Sequence, residues 1–306
     1  MGAKFTAVRI RSPRCRVGLG LVLSLLGCEG PQNDAASDTT ASDTTVSDTS
    51  NSDASDSDTS DSDTTGGSEN EATILSAYYG LDMLPAGVAL ICGMASVGED
   101  GMPVTFSVQL DTATVTPGAF TVETASGELV TPTCATLAPA DEALELRTVL
   151  LAGPFGTPDA QPVAVSVTGL QTLAGETIDA LSTETITPLE NGPSLLLAQR
   201  FAPDTPGLED ECPGGTSQAI QLVWEGGVTG PAGAALAEEQ RIGVRVRLEN
   251  GETVEPVALG DDDPDNFVIA CVAESSPAVQ VDVDAGLFHD PGDDANPPTS
   301  VAVTPD

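Results

Sequence analysis

The sequence is short of positive charge, aromatic rings and histidine. Its 306 residues include 10 lysines and arginines against 47 acidic residues, one histidine and 3% aromatic residues. Five of the ten basic residues, and none of the acids, lie within the first sixteen positions, so the remaining chain has five arginines and a formal charge near −42. Because a positive footprint for phosphate is missing, nucleic-acid binding and electrostatic attachment to anionic lipid are excluded.

Catalytic and metal-binding motifs are also missing. The single histidine, His289, stands beside Asp290, but no GxSxG or comparable nucleophile elbow accompanies this potential acid–base pair. No two cysteines have CxxC spacing, so a zinc site is not expected. No run after the first thirty residues approaches the roughly 18 apolar residues that a spanning helix needs. The sequence therefore predicts a protein that is not an enzyme.

The first 27 residues are typical of an export signal. A basic segment at positions 1–16 precedes an uncharged apolar run at 17–27, which is too short to span a membrane. The run ends in Leu25-Leu26-Gly27-Cys28, which resembles the lipobox of bacterial lipoproteins. The resemblance implies that the signal is cut before Cys28 and that Cys28 carries lipid, which anchors the exported chain to a bacterial membrane, the outer membrane or the cell surface. The alternative is an ordinary cleaved signal with an incidental cysteine.

Residues 28–72 are predicted to form a disordered tether. Ser-Asp recurs from positions 37, 42, 47 and 52, aromatic and basic residues are absent, and Val46 is the one sizeable aliphatic residue. This composition cannot repay the entropy of folding, and spaced aspartates repel one another. We interpret the segment as a stalk that lifts the folded part from the membrane. A calcium-binding or O-glycosylated segment is the alternative, although carboxylates without a rigid frame bind calcium weakly.

From residue 73 the pattern changes to short β-type runs separated by Gly, Pro, Asp and Asn, which predicts an all-β fold. Val104, Phe106 and Val108 alternate with polar residues, as expected of a half-buried strand. The strands predicted in residues 73–190 are Thr73–Tyr79, Val88–Cys92, Pro103–Leu110, Phe120–Thr124, Thr148–Leu151, Pro162–Val167 and Glu184–Thr187.

Two stretches of this region point to a particular fold. The sequences VTFSVQLDTATVTPGAFTV at 104–122 and VSVTGLQTLAG at 165–175 resemble the bacterial Ig-like modules of S-layer and surface-protein type. The resemblance implies that residues 73–190 form an Ig-like antiparallel β-sandwich that acts as a spacer or binding module, and it implies no reaction. Thr172 and Glu176 stand where those modules carry Asp and Asn, so we expect no ion at that turn.

A second β-sandwich is predicted in residues 191–306, after a hinge at Leu189–Pro193. The dipeptide Asn250-Gly251 between two β runs indicates a hairpin, and Pro231–Arg241 is interpreted as a short helix or a loop. The segment at 279–294 resembles the closing strand of an Ig-like module, so the chain is predicted to hold two tandem Ig-like sandwiches. The predicted strands are Ser194–Gln199, Gln218–Trp224, Ile242–Glu249, Val254–Leu259, Asn266–Val272, Val279–Asp284 and Ser300–Val303.

Four cysteines remain once Cys15 and Cys28 are set aside, and an exported location favours disulfides between them. They allow three pairings. One bond in each predicted domain gives Cys92–Cys134 and Cys212–Cys271, which is the pairing we predict. In the chain-entropy model, closing loops of this size contributes about 3–4.5 kcal/mol for each bond.

Acidic loops are the candidate metal sites. Asp261, Asp263 and Asp265 stand at alternate positions, as at the start of a calcium loop, but the glycine and the final acid of an EF-hand are missing. A second oxygen-rich turn holds Asp290, Asp293, Asp294 and Asn296. We favour solvated loops over calcium sites in a chain this acidic, and we expect no cofactor.

Three further side chains have both a binding and a structural interpretation. Arg245 and Arg247 on one strand face are candidates for an anionic ligand or glycan, but pairing with acids such as Glu249 or Glu252 is favoured. Trp224 is a candidate for stacking on a sugar, but a position in the core or at the end of a sheet is favoured.

These features predict a membrane-anchored surface lipoprotein that acts as a structural, adhesive or binding module. Its expected partners are the membrane, through the lipid, and a surface protein or glycan. The alternative is a calcium-dependent carbohydrate-binding module at the cell surface, which requires exposed aromatic residues on one sheet face.

Overall fold

The computed structural model describes residues 71–260 and 265–306. The export signal, Cys28 and the predicted tether up to residue 70 lie outside the described residues. Within these ranges, no helix has the length and apolar character needed to cross a membrane.

Residues 73–190, here the first half, form eight strands in two four-stranded antiparallel sheets. The strands are β1 (Ile74–Ala77), β2 (Asp100–Phe106), β3 (Phe120–Glu123), β4 (Leu129–Val130), β5 (Cys134–Thr136), β6 (Thr148–Gly153), β7 (Ala164–Val167) and β8 (Leu181–Thr183). One sheet has the order β1-β2-β6-β5 and the other has the order β4-β3-β7-β8. Both sheets contribute to one apolar core, for example through Val104, Leu151, Val122 and Val165.

Residues 191–306, the second half, form one eight-stranded sheet with the order β12-β11-β15-β16-β9-β10-β14-β13. Its strands are β9 (Leu195–Phe201), β10 (Gln218–Trp224), β11 (Val244–Leu248), β12 (Thr253–Val254), β13 (Ala258–Gly260), β14 (Phe267–Val272), β15 (Ala278–Val283) and β16 (Thr299–Pro305). Val246 and Val281 share one core with Ile220 and Val268, although their strands lie toward opposite ends of the sheet. The sheet therefore folds back on itself around that core.

The described helices are short and connect strands. They are α1 (Ala89–Cys92), α2 (Glu238–Gly243) and 3₁₀ turns at Ala86–Val88, Met94–Ser96, Thr112–Thr114, Pro117–Ala119 and Pro231–Gly233. The all-β class is confirmed. The Asn250-Gly251 hairpin is also confirmed, since β11 and β12 pair antiparallel around a Gly251 with φ of 88°.

Several predicted elements differ from the structure. Val88–Cys92 is helical instead of extended: the run pairs with no strand, Val88 is buried against Leu84 and Ala152, and Leu90 and Ile91 are exposed. The strand predicted at Glu184–Thr187 lies earlier, at β8, and Thr187 instead makes one parallel bridge to Tyr78. In the second half, β16 pairs with β9 in parallel, whereas an antiparallel fold was predicted.

The two halves meet across the outer face of the sheet β1-β2-β6-β5. Thr105 and Thr148 on this face are buried although they point away from the first core, and their hydroxyl oxygens are 3.1 Å apart. Asn266 of the second half donates from Nδ2 to Thr148 Oγ1 at 2.8 Å and to the Trp224 carbonyl at 3.0 Å. This sheet is therefore covered on both sides. The strand at 103–110 was predicted to be half-buried, but Thr105, on the face that was expected to meet solvent, is also buried.

A buried carboxylate and an arginine strengthen the same junction. Glu225 of the second half accepts hydrogen bonds from Ser76 Oγ at 3.0 Å, Thr187 Oγ1 at 2.8 Å and the Ser194 amide at 2.9 Å. Arg147 of the first half donates to Gln199 Oε1 at 3.1 Å, and burial lowers the pKa of its guanidinium to about 10. The division into two domains stays a prediction. The contacts described here join the two halves across the predicted boundary.

Replacing Asn266 with alanine would leave the Thr148 hydroxyl and the Trp224 carbonyl without this buried donor. We expect the free energy of unfolding to fall by about 1–3 kcal/mol, measured by chemical denaturation of the oxidised protein. Asn191→Ala is the matched control, because the Asn191 side chain is exposed, and its effect should stay within about 0.5 kcal/mol. Equal effects of the two substitutions would contradict a stabilising junction.

Candidate functional site

An apolar cleft of about 260 Å³ lies at the junction of the two halves. The first half supplies most of its wall, including Leu84, Val88, Leu137 and Pro139, and the second half supplies a smaller part, including Gly226. A Cβ at Gly226 would lie 2.8 Å from the Tyr78 ring, so the absence of a side chain there lets the halves approach. Clefts at the junction of two packed units are common binding sites.

Four exposed apolar side chains lie within positions 83–94, on and around the segment Val88–Cys92 that was predicted as a strand. We name Met83, Leu90, Ile91 and Met94 the apolar ridge; their exposed fractions are 66%, 80%, 42% and 77%. Ile91 also lines the cleft, so ridge and cleft are continuous. In the described part of the chain ten large apolar residues are exposed, and these four fall within positions 83–94. This clustering distinguishes the ridge from apolar residues scattered over a surface.

The ridge is held in place from both ends. The disulfide Cys92–Cys134 joins its helix α1 to strand β5. The Leu84 amide donates to the Glu99 carbonyl at 2.7 Å, and the Gly98 amide donates to the Leu84 carbonyl at 2.9 Å. The buried side chains Leu84 and Val88 then pack with Ala152 beneath the ridge. Because the segment is fixed before any contact is made, binding there would cost little ordering entropy.

The exposed charged residues that directly follow cleft residues in the sequence are acidic. Asp82 is exposed between the cleft residue Leu81 and the ridge residue Met83, and Asp141 is exposed directly after the cleft residue Ala140. None of the five arginines of the described chain lines this cleft.

A buried polar pair lies behind the cleft. The Tyr78 hydroxyl is 2.7 Å from the Asn191 carbonyl oxygen and 2.6 Å from Asp290 Oδ2, and Asp290 Oδ1 accepts from the Asp294 amide at 2.8 Å. Burial raises the pKa of the Asp290 carboxyl, and burial together with Asp290 raises the pKa of Tyr78. A phenol has one proton, so the Tyr78 hydroxyl donates to one of these two oxygens at a time.

The candidate calcium residues are only partly described. Asp261 and Asp263 lie outside the described residues. Asp265 is buried, with its Oδ1 accepting from the Phe267 amide at 2.7 Å, so it fixes the start of β14. Among the described residues, no group of three or more His, Cys, Asp or Glu side chains is arranged to hold a metal ion.

The second oxygen-rich turn is connected internally. Asn296 Oδ1 accepts from the Leu287 and Phe288 amides, both within 2.9 Å. Asp293 Oδ1 accepts from the Ala232 amide at 2.7 Å and lies 2.9 Å from His289 Nδ1. His289 thus contacts Asp293, whereas the neighbour considered in the sequence, Asp290, faces Tyr78.

The structural interpretations of Trp224 and the strand arginines agree with the structure. Trp224 is fully buried, with its ring centroid 4.5 Å from that of Phe288. Arg245 forms a two-pronged ion pair with Asp284 at 2.5 and 2.6 Å, and Arg247 donates to Gln280. The partners come from β15 or directly after it, so the predicted partners Glu249 and Glu252 are wrong.

Both predicted cysteine pairs form disulfides, Cys92–Cys134 and Cys212–Cys271. The first restrains the apolar ridge, and the second joins the loop after β9 to β14. Sequence reasoning did not find the ridge, because the run Val88–Cys92 was interpreted as a strand. The four-residue spacing of Leu84 and Val88, after which Leu90, Ile91 and Met94 remain unaccounted for, is the signal that indicates it.

No model of a known protein family matches the chain, and no curated protein matches it. Among solved structures, the N-terminal part of the bacterial S-layer protein SbsC matches over 76% of this chain and 44% of its own, with 11% identity and a TM-score of 0.25. The S-layer protein rSbsC(31-844) matches over 77% and 41%, with 11% identity and a TM-score of 0.26. The chain spans less than half the length of these structures, and TM-scores this low do not establish a shared fold.

Asp290→Asn should change how stability depends on pH. Because folding raises the pKa of Asp290, its contribution to stability is fully present below the ordinary carboxyl pKa, about 3.9, and is lost as the pH rises through the raised value. Asparagine keeps an acceptor for the Asp294 amide and a donor for Tyr78 without titrating. We expect a higher Tm than wild type at neutral pH and a difference that closes toward pH of about 4.

The control is Asp210→Asn, which removes one negative charge from an exposed position. A Tm difference for Asp290→Asn that is independent of pH, or that Asp210→Asn reproduces, would contradict the raised pKa of Asp290.

Proposed function

We propose that the chain is an exported lipoprotein, anchored through Cys28, that presents a disulfide-linked β-sheet unit at the cell surface as a structural, adhesive or binding module without catalytic activity. The observation that carries this proposal is the pairing of Cys92, Cys134, Cys212 and Cys271 in two disulfides. Such bonds persist in oxidising, extracytoplasmic compartments. They fit the basic segment, apolar run and cysteine at the start of the chain.

The proposed fold is an Ig-like β-sandwich for residues 73–190 and a second β-sandwich for residues 191–306. Two four-stranded antiparallel sheets around one core support the first assignment. For the second, one eight-stranded sheet folded around its core gives the same layering. Its parallel pair, β16 with β9, departs from a simple antiparallel sandwich.

A binding role is favoured over a spacer alone by the apolar ridge and cleft. A spacer gains nothing from exposing Leu90 and Met94, because exposed apolar clusters favour aggregation. A fixed apolar patch beside a junctional cleft is typical of a surface that receives a partner.

The alternative, a calcium-dependent carbohydrate-binding module, finds less support. All nine aromatic residues in the described part of the chain are buried, so a platform for stacking sugars is missing there. The calcium component rests on Asp261 and Asp263.

Cys28→Ser should release the protein from the membrane. We expect wild type in the membrane fraction, labelled by radioactive palmitate, and Cys28→Ser unlabelled in a soluble fraction with both disulfides intact. Cys15→Ser is the matched control, because it changes a cysteine within the signal and should leave labelling and anchoring unchanged. Protease added to intact cells should digest the wild-type protein. Membrane retention of Cys28→Ser with full labelling would contradict the lipid anchor.

Calcium should leave the thermal stability unchanged. The mature chain is melted in a chelator and at about 1 mM calcium, the range in which extracellular calcium modules are occupied. A ligand that binds only the folded state raises the Tm, so we expect no rise. An increase that is lost in the double variant Asp261→Asn/Asp263→Asn would contradict this expectation and support the alternative function.

A further inference from the structure

The apolar ridge and the adjoining cleft form a surface that other residues of the described chain do not cover. Leu90 and Met94 are among its most exposed side chains, while Leu84 and Val88 beneath them are buried. The buried pair and the disulfide Cys92–Cys134 carry the stability of the segment. The exposed side chains of the ridge therefore add area for contact with another molecule.

The size and shape of this surface favour a macromolecule over a small ligand. The cleft holds about 260 Å³, which is below the usual range for a drug-sized ligand. Leu90, Met94 and Met83 extend beyond the cleft, so a ligand enclosed by it would leave them exposed. A polypeptide segment can place one side chain in the cleft and lay its neighbours along the ridge. Flexible methionines at two of the four ridge positions suit contact with such side chains.

Charge determines which partner can approach. After loss of the signal the chain has a formal charge near −42, and the exposed acids Asp82 and Asp141 adjoin the cleft. A second copy of the chain and an anionic lipid surface are both repelled. The chain's own tether is acidic, and its one sizeable aliphatic residue is Val46, so it is a poor occupant of an apolar cleft. A partner with apolar and basic residues matches both properties of the surface.

We propose that the apolar ridge and cleft bind a polypeptide segment that contains both apolar side chains and lysine or arginine. The apolar side chains enter the cleft and cover the ridge, and the basic ones face Asp82 and Asp141. This proposal rests on the binding role proposed above and names the class of its partner.

The test uses selection from a random peptide library on the full-length exported chain carrying Cys28→Ser, so that no attached acyl chain competes for the cleft. We expect enriched peptides to combine Leu, Ile, Phe or Met with Lys or Arg. The affinity of a labelled enriched peptide is then measured by fluorescence anisotropy. The double variant Leu90→Ser/Met94→Ser should weaken binding about tenfold or more, and Asp82→Asn/Asp141→Asn should weaken it and reduce its salt dependence.

The matched control is Leu129→Ser/Leu173→Ser, which replaces two leucines of the first half with exposed fractions of 68% and 57% away from the cleft. It should retain wild-type affinity, and all variants should retain the wild-type Tm because the replaced side chains are exposed. Enriched peptides without basic residues, or equal affinity of the ridge and control variants, would overturn the proposal. So would self-association or binding to phosphatidylcholine vesicles that the ridge variant abolishes in place of peptide binding.

These outcomes are distinguishable from failure of the proposed function. If Cys28→Ser is released from the membrane but the selected peptides do not bind the ridge, the anchored surface role stands and the partner class is wrong. If Cys28→Ser stays in the membrane and keeps full palmitate labelling, the anchor is wrong whichever peptides bind.

Discussion

Burial of the polar outer face of the sheet β1-β2-β6-β5 is the constraint on which the arrangement of the two halves depends. A hydroxyl or carboxylate removed from water must find partners inside the protein, or it costs a large part of the stability of the fold. Thr148 finds Asn266, and Glu225 finds donors from Ser76 and Thr187. These partners lie in opposite halves, so their hydrogen bonds fix how the two halves pack against each other. The same packing positions the walls of the cleft.

The sequence predicts the bounds of strands well, even where every residue is buried, as in β10, but it does not predict which polar faces the other half covers. Val244, Val246 and Leu248 are buried on one face of β11, as their period-two spacing indicates. Thr105 is also buried, although a polar residue between two apolar ones indicates solvent, because the second half covers it. That contact joins residues far apart in sequence, so local periodicity does not contain it. The partners of Arg245 and Arg247 were missed for the same reason: Asp284, directly after β15, and Gln280 on β15 come from across the sheet.

The candidate site was harder to predict from the sequence than the fold was. Motif searches favour oxygen-rich and nucleophilic clusters, and they selected acidic loops such as the turn at Asp290, which the structure uses for its own hydrogen bonds. The ridge has no motif, because it is made of ordinary apolar residues in an unexpected place. Its only local sign is that Leu84 and Val88 are sufficient to bury the segment, which leaves Leu90 and Met94 without a place in a core. The second half supplies part of the cleft wall, so the sequence around the ridge does not by itself indicate a cleft.

The acidity of the chain and its exposed apolar ridge are physically connected. A clustered apolar surface on a protein of low net charge promotes association with other copies and with membranes. Residues 17–306 carry a formal charge near −42, which opposes both, since every approach of two copies brings their like charges together. The same charge attracts a cationic partner and accelerates its encounter. Acidity thus permits the ridge to stay exposed, and it favours, among the molecules that can reach Leu90 and Met94, those that carry positive charge beside their apolar groups.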